Sequence, residues 1–95
     1  MLIIAGYELM AEADRDAYVE AHGDLVARAR KAPGCLDVAI SADPLDPRRV
    51  NTYERWESRA LLDEWRAVAN APDTGITVDH VEVSLYDASN ERPPF

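Results

Sequence analysis

Apolar and polar residues alternate along this chain with the periods of strands and helices, in the order strand, helix, strand, strand, helix, strand. Residues 2–10 are almost continuously apolar, which is typical of a strand covered on both faces. Residues 35–42, and residues 81–85 within a last strand of residues 76–86, place an apolar side chain at every second position, as half-buried strands do. The strand of residues 50–56 is expected to pair with residues 35–42 as a long hairpin, because the loop between them holds two Asp-Pro pairs.

The first helix is predicted between the opening strand and the Pro33-Gly34 pair, which stops it. Asp14 can cap its beginning, since aspartate is a preferred residue at that position. Tyr18, His22 and Leu25 recur at helical spacing and form one face. That face should point towards the sheet.

The second helix is predicted to begin after Ser58, a plausible N-cap, and to end before Pro72. Trp65 lies on its apolar face. Trp56 closes the preceding strand, so Trp65 should return over Trp56 one short helix later. The two tryptophans then form either one wall of an apolar pocket or simply part of the core.

The element order predicts an α+β fold, a ferredoxin-like βαββαβ sheet with its helices on one face. Residues 1–88 make one domain, and residues 89–95 form a tail that is either frayed or docks on a partner. The first strand is apolar on both faces, so the face opposite the helices needs a cover as well. A second sheet from an identical subunit is the simplest cover, and we expect a homodimer, a dimeric α+β barrel.

Composition limits the classes of partner. The net charge of −8 argues against nucleic acid and against anionic membrane surfaces, which both select a basic face. The single cysteine, Cys35, allows no intrachain disulfide, and with no signal peptide or membrane span in the sequence it favours a cytoplasmic protein. There is no cysteine and histidine cluster with zinc spacing and no glycine-rich phosphate loop, so neither a metal nor another cofactor is expected.

Three segments together resemble the antibiotic biosynthesis monooxygenase (ABM) family of dimeric α+β barrel proteins. They are the helix-ending run Pro33-Gly34-Cys35, the Asp-Pro loop of residues 43–47, and the run of residues 53–58, Tyr-Glu-Arg-Trp-Glu-Ser. The resemblance covers about residues 1–88 in element order. It implies a ligand cavity between the sheet and the helices, and a dimer built sheet to sheet. The best-known members oxidise polycyclic phenols to quinones with molecular oxygen and no cofactor, whereas others degrade haem or isomerise small metabolites.

One position departs from the family's pattern. Many members carry a histidine nine residues after the tryptophan that matches Trp56, and here that residue is Trp65. Haem degraders of this fold need an axial histidine from that helix, so haem chemistry is not expected.

The leading functional hypothesis is a cofactor-independent monooxygenase that oxidises a polycyclic phenol or a quinol-type aromatic. Such a site needs a base near neutral pKa and an apolar cavity. The candidate catalytic residues are His22 as proton acceptor, with Asn51 or Tyr53 as hydrogen-bond partners of a substrate oxygen. The candidate substrate-binding residues are Trp56, Trp65 and Tyr18.

Plainer interpretations of the same residues stay open. His22 can be a histidine at the edge of the core that bonds a backbone carbonyl, and His80 on the last strand is a second candidate base or a polar residue at an interface. Arg55 can stabilise a phenolate or pair with an acid at the surface. Asn51 and Trp56 are five apart, so they cannot share one face of a regular strand. A ligand-binding module without turnover and an isomerase of the same fold are the alternative functions.

Overall fold

The computed structural model describes residues 1–95, which form four strands and three helices. The strands are β1 (Leu2–Met10), β2 (Cys35–Ala42), β3 (Arg49–Trp56) and β4 (Val78–Asp87), and the helices are α1 (Glu12–Ala21), α2 (Gly23–Ala29) and α3 (Arg59–Val68). All neighbouring strands are antiparallel, in the order β2-β3-β1-β4. The helices lie on one face, so the predicted ferredoxin-like α+β fold is confirmed.

Parity along β1 and β3 separates the two faces of the sheet. Leu2 of β1 is opposite Trp56 of β3, and both are buried under the helices. The core cluster combines residues of the sheet with residues of α2 and α3: Leu2, Ile4, Ala29, Val38, Trp56 and Leu62. The intervening residues of each strand point to the other face, which no helix covers. We call that second surface the open face.

The predicted first helix is in fact two helices, and Asp14 does not cap it. The residue before α1 is Ala11, which makes no side-chain cap, and Asp14 lies inside the first turn. There its charge still suits the positive end of the helix dipole. His22 separates α1 from α2 with ψ near 0°, immediately before Gly23. Glycine is a poor helix former, and this weak point allows the axis to change direction over the sheet.

The segment that joins β3 to α3 follows the prediction. Ser58 has extended backbone and its Oγ accepts a hydrogen bond from Leu61 N at 3.3 Å, so it is the N-cap. Gly34 ends the preceding crossover with φ +83°, and a Cβ there would lie 2.5 Å from Leu61 Cδ1. Only glycine allows this loop to approach α3 so closely. Gly34 O also accepts a hydrogen bond from Glu57 N at 2.8 Å, which links the loop before β2 to the turn between β3 and α3.

The pairing of β1 with β4 continues for one residue beyond the two strands. The Met1 and Ala88 backbones exchange two hydrogen bonds, at 2.8 and 2.9 Å. β4 begins at Val78, two residues later than the apolar pattern indicates. None of the three helices combines the length and the hydropathy that a membrane span requires.

Candidate functional site

A cavity of about 130 Å³ lies between the sheet and the helices. We call it the main cavity. It opens between α2 and α3, above β2 and β3. Six of the nine lining residues are hydrophobic, and the full set is Leu25, Ala29, Val38, Ile40, Thr52, Glu54, Trp65, Arg66 and Ala69. A concave, mostly apolar space with a few polar groups is the usual form of a small-molecule site.

The two tryptophans lie together as predicted, but they have different surroundings. Their ring centroids are 6.2 Å apart and the planes are inclined by 23°, so the rings stack. Trp56 is fully buried and does not line the main cavity, whereas Trp65 is partly buried and does. Trp65 is therefore the aromatic wall that a ligand could touch, and Trp56 supports it from below.

Two polar residues of β3 line the main cavity on its sheet side. Glu54 Oε1 accepts a hydrogen bond from Trp56 Nε1 at 3.1 Å. Its second oxygen, Oε2, has no partner. Every buried side-chain nitrogen or oxygen except Arg55 Nε has a hydrogen-bond partner. Because Glu54 Oε2 has no partner, it is not buried, and a ligand can reach it. The Thr52 hydroxyl is also free of side-chain hydrogen bonds. The cavity thus presents an unused carboxylate oxygen and an unused hydroxyl.

Two arginines flank the helical side of the main cavity. Arg66 lines it, and makes neither a hydrogen bond nor an ion pair with another side chain. Arg28 lies with its guanidinium carbon 5.6 Å from the centroid of Trp65 and also pairs with Asp24 at 2.9 Å. Cationic groups therefore stand beside the aromatic wall, on the opposite side of the cavity from Glu54.

A second groove, of about 210 Å³, lies on the other side of Trp65. It is formed by Ala32, Pro33, Leu61, Glu64, Trp65 and Val68. These residues belong to α3 and the loop before β2, so the sheet contributes nothing to it. The main cavity, which both layers enclose, is the better candidate site.

Tyr18 and His22 form a separate cluster under α1. The rings are 4.3 Å apart, and His22 Nδ1 lies 2.7 Å from the Tyr18 carbonyl oxygen. A carbonyl only accepts, so Nδ1 carries the proton and Nε2 is left as the basic nitrogen. His22 is buried and neither residue lines the main cavity. The contact matches the plainer interpretation, a histidine that bonds a backbone carbonyl at the edge of the core.

Glu8 of β1 completes this cluster. The Tyr18 hydroxyl donates to Glu8 Oε2 at 3.1 Å. Burial, together with the nearby Glu8 carboxylate that accepts this bond, raises the pKa of Tyr18 to about 12. Tyr18 therefore holds its proton well above neutral pH, and it fixes α1 on the sheet.

We expect this raised pKa to appear in the stability of the fold. A tyrosine whose pKa rises on folding stabilises the protein fully below its unfolded pKa near 10, and loses that contribution as pH rises towards 12. The free energy of unfolding should therefore fall over this range. Tyr18→Phe should lower it by about 1 kcal/mol at neutral pH through the lost hydrogen bond and should flatten the alkaline fall. Urea unfolding at several pH values measures both.

Tyr86→Phe is the matched control, because Tyr86 is 55% exposed and makes no side-chain hydrogen bond. If the alkaline fall is equally steep in the wild type and in Tyr18→Phe, the bond to Glu8 does not stabilise the fold.

Asn51 and Tyr53 lie on the open face, together with Arg55. Trp56 points to the helices, so Asn51 and Trp56 lie on opposite faces of β3, as their spacing of five residues predicts. The structure does not bring Asn51 or Tyr53 to the main cavity. Arg55 pairs with Glu91 of the tail at 3.3 Å, as the surface interpretation expected.

Asn51 takes part in a polar network at the end of the hairpin. Its Nδ2 donates to Asp43 Oδ1 at 2.9 Å, and its Oδ1 accepts from Arg49 Nε at 2.6 Å. The bond from Asn51, with two more from the backbone nitrogens of Asp46 and Leu45, lowers the pKa of Asp43 to about 2. Asn51 thus has a structural role in closing the β2–β3 loop.

His80 also lies on the open face. Its Nε2 is 2.9 Å from Glu82 Oε2, and its ring lies 6.1 Å from the ring of Tyr7. His80 is exposed and far from the helical side of the sheet. No group of three His, Cys, Asp or Glu side chains converges in the manner of a metal site.

The sequence analysis missed the polar groups of the main cavity. Thr52 and Glu54 share the parity of Trp56 on β3, so they lie under the helices with it. Two polar residues on the strand face that also carries a core tryptophan were the signal that could have found them.

The chain is similar to known proteins in sequence and in fold. The sequence profile described as "Antibiotic biosynthesis monooxygenase" matches residues 1–71. A structure from Deinococcus radiodurans named for that family has 17% identity and a TM-score of 0.84, covering 100% of this chain and 99% of that one. A Mycobacterium tuberculosis protein has 21% identity and a TM-score of 0.76, covering 97% of each chain. A Chloroflexus aurantiacus protein, also named for the family, has 22% identity and a TM-score of 0.72, covering 97% and 96%. No curated protein matches the chain.

Proposed function

This chain belongs to the antibiotic biosynthesis monooxygenase family, and from that premise we propose that it oxidises a single-ring phenol to a quinone with molecular oxygen. The observation that carries the proposal is the main cavity, an apolar space with Trp65 as its wall and the free oxygen of Glu54 at its sheet side. Its volume of about 130 Å³ is close to that of a cavity that accepts benzene, roughly 150 Å³. A single ring suits it better than a polycyclic one.

The proposed reaction draws all its electrons from the substrate. A phenol and O₂ give a para-quinone and water: the O–O bond breaks, one oxygen atom bonds to the ring carbon opposite the hydroxyl, and the other leaves as water. The two hydrogens of that water come from the phenolic O–H and from the ring carbon. The balance needs no further reductant, in keeping with the expectation that no cofactor takes part.

In this proposal Glu54 accepts the phenolic proton. The proton of a phenol becomes strongly acidic as the ring gives an electron to oxygen, so a carboxylate is a sufficient base at that moment. The bond from Trp56 Nε1 holds one carboxylate oxygen and leaves the other for the substrate. Glu54 lines the cavity and His22 does not, so we assign this role to Glu54 rather than to His22.

Oxygen uptake by metal-stripped protein tests the function. We expect uptake with single-ring phenols whose ring carbon opposite the hydroxyl is unsubstituted, insensitive to chelator and lost on boiling, with one quinone formed for each O₂ consumed. Naphthols and anthrones serve as the polycyclic comparison, and they should react more slowly. An absence of uptake across the whole set would contradict the monooxygenase proposal.

An isomerase is the second candidate, and the same carboxylate favours it. A lone carboxylate in an apolar site can act as a base that moves a proton from one carbon to another. This activity would exchange a ligand C–H for deuterium from the solvent without consuming oxygen. Proton exchange that depends on Glu54, in the absence of oxygen uptake, would move the assignment to this candidate.

We also propose that two copies of the chain pair through the open face. The helices cover only the other side of the sheet, and the centre of the open face carries Ala5 between Tyr53 and Ser84. Sedimentation equilibrium should give the mass of a dimer, and Ala5→Asp, which places a charge at that centre, should give a monomer. A monomeric wild type would contradict the pairing.

A further inference from the structure

The main cavity carries unused groups of opposite character on its two sides. Glu54 Oε2 on the sheet side is a hydrogen-bond acceptor with no donor. Arg66 on the helical side is a cation without an ion-pair partner. The two residues do not pair with each other, and both line the main cavity together with six hydrophobic residues. An arrangement of this kind is complementary to a ligand with a donor at one end and negative charge at the other.

Two other arginines of the helices near the main cavity already have carboxylate partners. Arg59 of α3 pairs with Asp63 at 3.1 Å, and Arg28 of α2 pairs with Asp24 at 2.9 Å. Arg30, which follows α2, donates to the Val38 carbonyl oxygen at 2.8 Å, whereas Arg66 makes neither a side-chain hydrogen bond nor an ion pair, in a protein whose net charge of −8 otherwise repels anions. The positive charge of Arg66 is therefore available to pair with an anionic group of a ligand in the main cavity.

We infer that the ligand of the main cavity is an aromatic ring that bears both a hydroxyl and an anionic group, such as a hydroxybenzoate. The hydroxyl donates to Glu54, the ring lies against Trp65, and the anionic group is paired with Arg66. The inference rests on the proposed function for the location of the site, and it adds the charge and the polarity of the substrate.

The proposed site should distinguish a hydroxybenzoate from phenol and from benzoate, each of which carries only one of its two polar groups. Phenol has the donor but no charge, so it gains nothing from Arg66. Benzoate has the charge but no donor, and its carboxylate is repelled if it approaches Glu54. In 3-hydroxybenzoate both requirements are met, and the ring carbon opposite the hydroxyl is unsubstituted, as the proposed oxidation needs.

Isothermal calorimetry with 3-hydroxybenzoate, phenol and benzoate tests the inference on the full chain. We expect 3-hydroxybenzoate to bind more tightly than phenol or benzoate. Arg66→Gln should weaken 3-hydroxybenzoate by about three- to five-fold, the usual effect of a partly exposed charge pair, and should leave phenol unchanged. Added salt should remove the same advantage, because it screens the pair.

Glu54→Gln should act on the other end of the ligand. It should weaken phenol and 3-hydroxybenzoate by about ten-fold, because the amide oxygen stays with Trp56 Nε1 and the ligand hydroxyl then meets an NH₂ group, which cannot accept its hydrogen bond. Benzoate should bind more tightly to this variant, because a repulsive charge is gone. The opposite sign for benzoate separates a direct contact from general damage to the cavity.

Arg59→Gln and Glu57→Gln are the matched controls, one on the same helix as Arg66 and one just beyond the strand of Glu54. Equal affinities for 3-hydroxybenzoate and phenol, equal effects of Arg66→Gln and Arg59→Gln, or no binding of any of the three ligands would each overturn the inference. Tight binding of 3-hydroxybenzoate without oxygen uptake would instead contradict the monooxygenase proposal alone. If phenol and 3-hydroxybenzoate both support oxygen uptake and Arg66→Gln changes neither rate, the inference about the anionic group fails and the monooxygenase proposal stands.

Discussion

Replacing Gly6 with alanine is expected to destabilise the fold by about 3 kcal/mol or more. Gly6 lies in the middle of β1 with φ +154°, a conformation that side-chain-bearing residues rarely adopt. A Cβ there would overlap the Glu82 carbonyl oxygen and lie 2.7 Å from Val83 Cα. Both neighbours are backbone atoms of β4, so relief requires the two strands to separate locally. The expected loss is a large part of the roughly 5–14 kcal/mol that stabilises a domain of this length.

Gly23→Ala is the matched control for this change. Gly23 begins α2, and nothing lies within 4 Å of the position that a Cβ would take. The alanine should therefore be neutral, or should stabilise the protein by up to about 1 kcal/mol, because alanine is the better helix former. Urea unfolding of the two variants measures the contrast. If Gly6→Ala is as stable as Gly23→Ala, the close approach of β4 to β1 is not as described.

Replacing Glu54 with glutamine should reduce the rate of oxygen uptake at saturating substrate by about 100-fold, the lower end of the effect of a positioned general base. The amide oxygen of glutamine can still accept the bond from Trp56 Nε1, so the melting temperature should change little. A loss of rate without a loss of stability is the result that distinguishes a group acting on the substrate from one that only supports the core.

Two further variants complete this test. Glu57→Gln removes an exposed carboxylate three residues away and should leave the rate unchanged. His22→Ala removes the earlier candidate base, and on the present geometry it should lower the melting temperature more than the rate. If His22→Ala abolishes oxygen uptake while Glu54→Gln does not, the assignment of the base is reversed.

The fold could be predicted closely because its signals are local. β1 and β2 have the bounds that the apolar pattern gives, and Ser58 caps α3 as expected. The stacking of Trp56 and Trp65 follows from one strand, one turn and two turns of helix, so it too was accessible from the sequence. These features depend on periods and turn residues within about 15 positions, which a single sequence carries.

The site was harder to predict because it depends on which face of β3 the helices cover. Asn51 and Tyr53 were chosen for their chemistry, but the open face holds both. Glu54 has the same hydrogen-bonding capacity and lies in the cavity, because its parity is that of Trp56. The break at His22 was also missed, since Gly23 lowers helix propensity without stopping a helix by itself. Long-range packing decides both points, and a single sequence does not state it.

We propose above that an aromatic ligand binds between the sheet and the helices, against Trp65. Nuclear magnetic resonance of ¹⁵N-labelled protein titrated with 3-hydroxybenzoate tests it most directly, because the two tryptophan indole N–H groups give separate signals. We predict large shifts for the Trp65 indole and for the backbone amides of Ala29 and Ala69, with none for Asn51 or Tyr53 on the open face. Shifts confined to Asn51 and Tyr53, with the Trp65 signal unmoved, would place the site on the wrong side of the sheet and contradict the account.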